Sequence, residues 1–376
     1  MSECTLGTIC RYRTESAPID QLPYVSTESM RPNKKGVITN EAAPSVSKAR
    51  LFRKGDTLVS NIRPYFKKIW QAEYDGCCSA DVLVFDPHGC DSDYLYWLLS
   101  DDAFFAYMVA SSKGTKMPRG DKDAIMRYKV RRQSATEQRR LTAALNPIRE
   151  LIRINQHTND YLSEMAMALF SRECPQSNEP NAILSDIAQI TMGQSPSGSS
   201  YNESGNGEVF YQGRAEFGAF FPHRRLFTTE PKRMAQEGDT LMSVRAPVGD
   251  LNIANENCCI GRGLAAIHSE GNQSFVHYLV RAQGRALDTF NGDGTVFGSI
   301  NGKALKELSV FLPGNDVISR LESQLKPIDA LIRRNDDEIQ ALGRMRDTLL
   351  PRLLSSEIDV SKVELPTPPN NHLGDC

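Results

Sequence analysis

The sequence Arg140-Leu141, Leu145-Asn146-Pro147-Ile148, Leu151-Ile152-Arg153 and Asn155 is written twice in this chain. It returns as Arg320-Leu321, Leu325-Lys326-Pro327-Ile328, Leu331-Ile332-Arg333 and Asn335. Each pair lies 180 residues apart, as positions 145 and 325 do. In each copy the apolar positions step alternately by four and three. Leu141, Leu145, Ile148, Ile152, Asn155, Asn159 and Leu162 form one seam; Leu321, Leu325, Ile328, Ile332, Asn335, Ile339 and Leu342 form the other. That spacing marks a long amphipathic helix with a heptad stripe. Two such stripes in one chain are expected to bury each other. A pseudo-twofold that makes the two halves equivalent requires them to run antiparallel. Asn155 and Asn335 then lie near the middle, either facing each other and setting the register or reaching solvent. Pro147 and Pro327 occupy the same heptad place. A proline inside a helix costs about 3 kcal/mol, so each is read as a kink, or as a short helix followed by a longer one that starts at the proline.

The duplication extends outward from the helices. Lys54-Gly55-Asp56-Thr57-Leu58-Val59-Ser60-Asn61-Ile62-Arg63-Pro64 returns as Glu237-Gly238-Asp239-Thr240-Leu241-Met242-Ser243-Val244-Arg245-Ala246-Pro247. Cys77-Cys78 returns as Cys258-Cys259, Tyr94-Leu95-Tyr96-Trp97 as Phe275-Val276-His277-Tyr278, and Gly114-Thr115 as Gly294-Thr295. Each globular piece reads as mixed α and β. Gly-Asp is a turn feeding a strand, residues 81–86 are a second strand, and residues 93–108 carry helical spacing capped by Asp91, Ser92 or Asp93. The expected fold is α+β: two mixed α/β domains in tandem, separated by two long helices that pair as an antiparallel coiled coil. The expected boundaries are 1–133, a helix over 134–173 capped by Ser134 and Glu137, 174–314, a helix over 315–356 capped by Asn315 or Asp316, and a C-terminal tail over 357–376 whose end, 361–376, reads as disordered.

Composition excludes several classes. The chain is 40% hydrophobic and 24% charged, with a net charge of −2, so the bulk charge carries no signature of nucleic-acid binding. No apolar run is long enough to span a bilayer and the first residues do not read as a signal peptide, so a cytoplasmic protein without a membrane partner is expected. The nine cysteines include no Cys-x-x-Cys, and the six histidines show no metal spacing. The cysteines read as small buried hydrophobes in a reducing compartment. There is no phosphate-binding Gly-x-x-x-x-Gly-Lys-Ser/Thr loop, no Asn/Asp-Pro-Pro-Tyr tetrapeptide, and no acid, base or nucleophile that repeats in both halves. No catalytic residue and no metal site are assigned.

Taken in order, these motifs resemble type I restriction–modification specificity subunits over nearly the whole chain. Leu184-Ser185-Asp186-Ile187-Ala188-Gln189-Ile190-Thr191-Met192-Gly193-Gln194-Ser195-Pro196 looks like the opening of a target-recognition domain of that family, and Leu6-Gly7-Thr8-Ile9 like a weaker copy. Tyr24-Val25-Ser26-Thr27-Glu28-Ser29-Met30 and the segment 210–218 resemble the next stretch of such a domain. Gly-Asp-x-Leu with Arg-x-Pro, Glu137-Gln138 and the segment 354–360 also fit. The resemblance implies a non-catalytic DNA-recognition subunit with two target-recognition domains joined by spacer helices, reading a bipartite, asymmetric duplex target. It implies two methyltransferase subunits docked on the helices, with restriction or translocase subunits as further partners. S-adenosylmethionine, ATP and Mg would then be bound by those partners and not by this chain. A helix from 134 to 170 rises roughly 55 Å at 1.5 Å per residue, which spans half-sites one duplex turn apart.

Phosphate contact calls for cations, and guanine readout favours Arg. The candidates in the first half are Arg63, Lys67 and Lys68 after the Gly-Asp strand, with Lys113, Thr115, Lys116 and Arg119 around the Gly-Thr loop. Those in the second half are Arg214, Arg224, Arg225, Arg245 and Thr295, with Arg262 in the same basic cluster. Tyr201, Tyr211, Phe220 and Phe221 interleave with them, either as platforms for a base or as core. The competing reading is a coiled-coil adaptor whose two globular ends bind proteins. The near-neutral charge suits it.

Overall fold

The computed structural model describes residues 3–18, 22–38, 48–114, 116–175, 177–291 and 298–363. The chain divides into two compact units, one of residues 1–155 with 338–376, the other of residues 156–337. Both divisions fall inside long helices, Ala135–Glu173 and Asn315–Leu354, so each unit holds one globular lobe and half of each helix. Neither helix restarts at its proline: Pro147 and Pro327 are each carried inside one continuous helix. Seam residues around each proline are buried, Leu145 and Leu325 completely. At roughly 1.5–3 kcal/mol per fully buried side chain, several such residues outweigh the proline penalty.

In the first unit the main sheet runs Cys10–Tyr12, Val82–Pro87, Thr57–Ser60, Ile69–Gln71, all antiparallel. Leu58 and Val84 point to a second sheet of Ser16–Ala17, Ala49–Phe52, Gly76–Cys78 and Tyr24–Val25, where they pack on Phe52 and Trp70. Val59, Leu83 and Phe85 point the other way, onto Trp97, Phe104, Leu141, Leu145, Leu350 and Leu353. A strand buried on both faces reads as an unbroken apolar run, which is how Val82-Leu83-Val84-Phe85 is written. Strand Glu3–Thr5 pairs with Lys129–Arg131. Asp91 caps the helix Ser92–Ser100 by accepting from the amides of Asp93 and Tyr94. The helix expected over 93–108 is broken at Asp101, whose carboxylate caps a second helix, Asp102–Ala110. The Ser134–Glu137 capping box is present, at 2.7–3.3 Å. Ile358 and Val360 pack against this unit's core; residues 364–376, most of the stretch read as disordered, lie outside the described residues.

The second unit repeats the plan. Its main sheet runs Gln189–Met192, Leu264–His268, Thr240–Ser243, Leu251–Ile253, and a five-stranded second sheet covers one face. In both second sheets one strand pair is parallel: Tyr24–Val25 with Gly76–Cys78, and Glu208–Tyr211 with Cys258–Ile260. The short pair Ala182–Ile183 with Ser309–Val310 closes the lobe. The Gly-Asp motif does the same local work twice. Gly55 and Gly238 both sit at φ +91°, a region open to glycine. Asp56 and Asp239 each accept the amide of the residue three before, Arg53 and Gln236, at 2.8 Å. Each also holds a cationic or imidazole partner across the sheet: Arg13 at 2.6 Å in one lobe, His268 at 2.6 Å in the other.

Within the second unit the two helices touch through Asn335, whose Nδ2 donates to Asn159 Oδ1 at 2.8 Å, while Asn159 Nδ2 donates to the Ile332 carbonyl at 3.1 Å. The repeat pairs Asn335 with Asn155; in the structure its partner is Asn159, one turn further along. Asn159 is 1% exposed, and a buried amide finds a polar partner or loses stability. The eight cysteines in the described residues are free, and the adjacent pairs lie buried in the middle of their sheets. Burial pushes the Cys78 thiol up to about 12 and Cys174 up to about 11, so neither is a nucleophile near neutral pH.

Candidate nucleic-acid interface

Two segments far apart in sequence meet in each lobe: the end of the central strand and the loop after the Gly-Thr dipeptide. In the first lobe the Arg63 amide donates to Pro118 O at 2.8 Å, the Gly120 amide to Asn61 O at 3.2 Å, and Ile62 bridges Arg119. Lys113 and Arg119 exchange main-chain hydrogen bonds at 2.9 and 3.0 Å, closing the loop between them. In the second lobe the Ala246 amide donates to Gly298 O at 3.0 Å, the Ile300 amide to Val244 O at 3.1 Å, and Arg245 bridges Ser299. Arg245 thus stands at the place of Ile62, and Arg63 one residue further along, at the place of Ala246; both arginines are exposed, with no carboxylate partner among the described residues. Thr115 and Thr295 lie outside the described residues.

The other candidates separate by their neighbours. Lys116 is exposed and unpaired among the described residues. Lys67 pairs with Asp102 at 2.8 Å, Lys113 with Asp121 at 2.6 Å and Arg119 with Asp81 at 3.0 Å. Lys68 is half-buried and donates to the Thr27 carbonyl at 2.5 Å. In the second lobe Arg214 is held by Asp250, Arg224 by Glu256, and Arg225 by Glu216 at 2.5 Å. The segment 214–225 therefore offers much less free positive charge than its sequence suggests. A carboxylate four residues away is legible in sequence; Asp250 and Glu256, more than thirty residues from their arginines, are not.

The aromatic residues also sort. Tyr211 and Phe221 are buried, Phe220 packs against the core, and Tyr201 lies on Phe210 with ring centres 4.9 Å apart. These are core side chains, not base platforms. Exposed aromatics near the junction lie elsewhere: Tyr65 at 49% and Phe66 at 39%, in the turn directly after Arg63. Arg63 and Lys67 flank that turn at φ 49° and 50°. Left-handed conformations at non-glycine residues cost of order 1 kcal/mol or more and concentrate at functional sites. The signal for this turn is Arg63-Pro64-Tyr65-Phe66 directly after the strand, and no second copy of the aromatic pair exists to draw attention to it.

Among the described residues no group of three His, Cys, Asp or Glu side chains is placed to hold a metal ion. No helix there is long and apolar enough to cross a membrane.

Fold and site together define a two-lobed protein whose halves present corresponding cationic junctions at corresponding strand ends. No family model matches the sequence. The type I restriction enzyme MjaX specificity subunit of Methanocaldococcus jannaschii is 39% identical over 175 residues, which is 46% of this chain and 41% of that protein. The type I restriction enzyme MjaIX specificity subunit of the same organism is 20% identical over 315 residues, 73% of this chain and 71% of that one. The match to the first relative spans about two fifths of that protein's length. The crystal structure of the type I restriction–modification system S subunit from M. genitalium superposes with a TM-score of 0.50 at 16% identity, over 94% of this chain and 95% of that one; at that identity it speaks for the fold alone. Over these stretches the sequence is similar to type I restriction enzyme specificity subunits, the family its motifs resemble.

Proposed function

We propose that this chain is the DNA-recognition subunit of a type I restriction–modification complex. The observation that carries the reading is the repeated junction: at the end of the equivalent strand in each lobe an unpaired arginine, Arg63 in one and Arg245 one register position earlier in the other, lies where the strand is stitched to the segment that follows Gly-Thr. A duplex contact needs mobile cations at a surface, and two such surfaces in one chain suit a bipartite target. The halves of the two long helices come together in each unit, and the reading joins them into one antiparallel coiled coil about a pseudo-twofold axis, spacing two half-sites. Exposed apolar side chains on the first helix, Leu151 and Ile154 in one unit and Tyr161 and Met165 in the other, supply a face for two methyltransferase subunits. Methyl transfer and cleavage then belong to methyltransferase and restriction or translocase partners, which bind S-adenosylmethionine, ATP and Mg, and this cytoplasmic chain performs no chemistry.

Replacing residues 1–133 by another recognition lobe tests this. The sequence protected or methylated should change at one half-site and stay the same at the other. A change at both, or at neither, breaks the modular reading. Salt separates it from the adaptor. Duplex binding through phosphates weakens linearly in log–log terms as salt rises, whereas protein docking through apolar surface does not.

A further inference from the structure

The second lobe carries a feature that the first lacks. Three backbone segments lock together there: Gly193-Gln194-Ser195, Gln212-Gly213 and Gly261-Arg262-Gly263. The Gly193 amide donates to Leu264 O at 2.9 Å, the Gln194 amide to Ile260 O at 3.0 Å, and the Gly261 amide to Tyr211 O at 2.8 Å. Ser195 Oγ accepts from the Arg262 amide at 3.3 Å. The contact is main chain on main chain. A β-carbon at Gly261 would stand 2.7 Å from the Gln212 carbonyl oxygen, and one at Gly193 would run into the Gly261 carbonyl oxygen. Glycine is needed so that the strands of this platform can close. The Val244 amide, next to Arg245, donates to Gly263 O at 2.9 Å and ties the platform to the cationic junction.

Arg262 rises from the middle of this platform. It is exposed and has no carboxylate partner among the described residues, whereas Arg214, Arg224 and Arg225 in the same lobe all have one. In the first lobe the corresponding turn is Ser79-Ala80-Asp81. The Val82 amide closes it on Ser79 O at 3.0 Å, as the Leu264 amide closes the other on Gly261 O at 2.9 Å. Ala80 stands where Arg262 does, and Asp81 is occupied by Arg119.

We infer that Arg262 is a specificity-determining residue, reading a guanine in the half-site taken by the second lobe. This rests on the proposed DNA-recognition function and goes beyond it by naming the base class and the lobe. An arginine fork donates two hydrogen bonds to guanine O6 and N7, a pairing that lysine cannot copy with fixed geometry. A rigid root lowers the ordering cost of that fork, which is what turns contact into discrimination. The first lobe, with alanine at this place, reads its half-site without such a contact, so the two half-sites are unlike by construction.

The test is selection of bound duplexes from a randomised pool by the full chain, together with whatever subunits co-purify, as wild type, Arg262→Ala, Arg262→Lys and Arg224→Ala. Wild type should enrich two separated half-sites, one containing a G·C pair that both Arg262 variants stop selecting. Discrimination at that pair should fall about tenfold or more, with the other half-site unchanged. Arg224→Ala should keep the full motif. The inference is overturned if Arg262→Ala enriches the wild-type motif, or if it weakens all duplexes alike with preferences intact; the recognition function survives either result. If the wild type enriches no sequence, the recognition function fails and the inference with it.

Discussion

The two lobes share a sheet order, a Gly-Asp turn and a stitched junction, yet they are fastened to their helices by opposite chemistry. In the first unit Trp97 donates its indole N–H to Asn146 at 2.8 Å, and Arg149 lies over the rings of Tyr96 and Trp97 at 4.8 and 5.6 Å while reaching Gln71 at 2.5 Å and Asp93 at 3.3 Å. In the second unit the place of Trp97 is taken by Tyr278, which donates to Asp329 at 2.7 Å, and Asp329 stands where the first helix has Arg149. Burial raises the Asp329 carboxyl above its ordinary range, and Glu322 accepts the Phe275 amide at 2.8 Å nearby. A cation under an aromatic cap has become an acid under a phenol. Duplication supplied one backbone plan, and the contacts between lobe and helix then diverged.

The largest effect should come from the aromatic at the centre of the first fastening. Trp97→Ala should cost the first unit about 3–5 kcal/mol, seen as an early transition in thermal unfolding. An equal effect from Tyr278→Phe, which removes only one hydrogen bond worth about 1 kcal/mol, would break the contrast. Next come the charge reversals. Arg149→Asp sets a second carboxylate beside Asp93, and Asp329→Arg sets a cation near Arg281; each should lose about 3 kcal/mol by denaturant midpoint. The contrast fails if either is neutral.

A smaller effect is expected at the helix contact. Asn159→Leu should cost about 1–2 kcal/mol, because Asn335 is left buried and unpaired, while the double change with Asn335→Leu should restore most of it. Additive losses would rule out the pairing. Smaller again is a pH effect confined to the second unit. Desolvation, with Arg281 adding to it, lowers His277 to about 3, while the corresponding residue in the first lobe is Tyr96. The folded form holds this imidazole neutral, so its stability is complete above the unfolded value near 6.5 and declines as pH falls toward 3. Between pH 7 and pH 6 the loss should be about 0.7 kcal/mol, and His277→Tyr should remove it. Smallest is Lys116→Ala, which should reduce the salt slope of duplex binding by about one unit while Lys67→Ala, paired to Asp102, leaves it nearly unchanged.

Much of this was legible in the residues. The heptad positions Leu141, Leu145, Leu321 and Leu325 are buried as their spacing required, because helical periodicity is local and needs no partner to be read. The Ser134–Glu137 cap and the Gly-Asp turns were readable for the same reason. The break at Asp101 was not, since a capping aspartate in mid-helix looks like any exposed polar residue until the chain turns. The partner of Asn335 is not legible because the repeat equates it with Asn155, whereas antiparallel packing matches helices by position in space and chose Asn159. The candidate cations were all visible, but their carboxylate partners were not.

The sequence alone therefore determined what local chemistry dictates: a duplicated lobe, two amphipathic helices, their caps and turns, and the pool of cations from which a DNA surface is drawn. Only the tertiary structure decided which of those cations stay free, because Asp81, Asp250 and Glu256 reach their arginines across loops of more than thirty residues. It also decided that the glycines around Arg262 form one platform. Backbone packing across separate segments depends on distances in space, and those are settled by the whole core rather than by any stretch of chain.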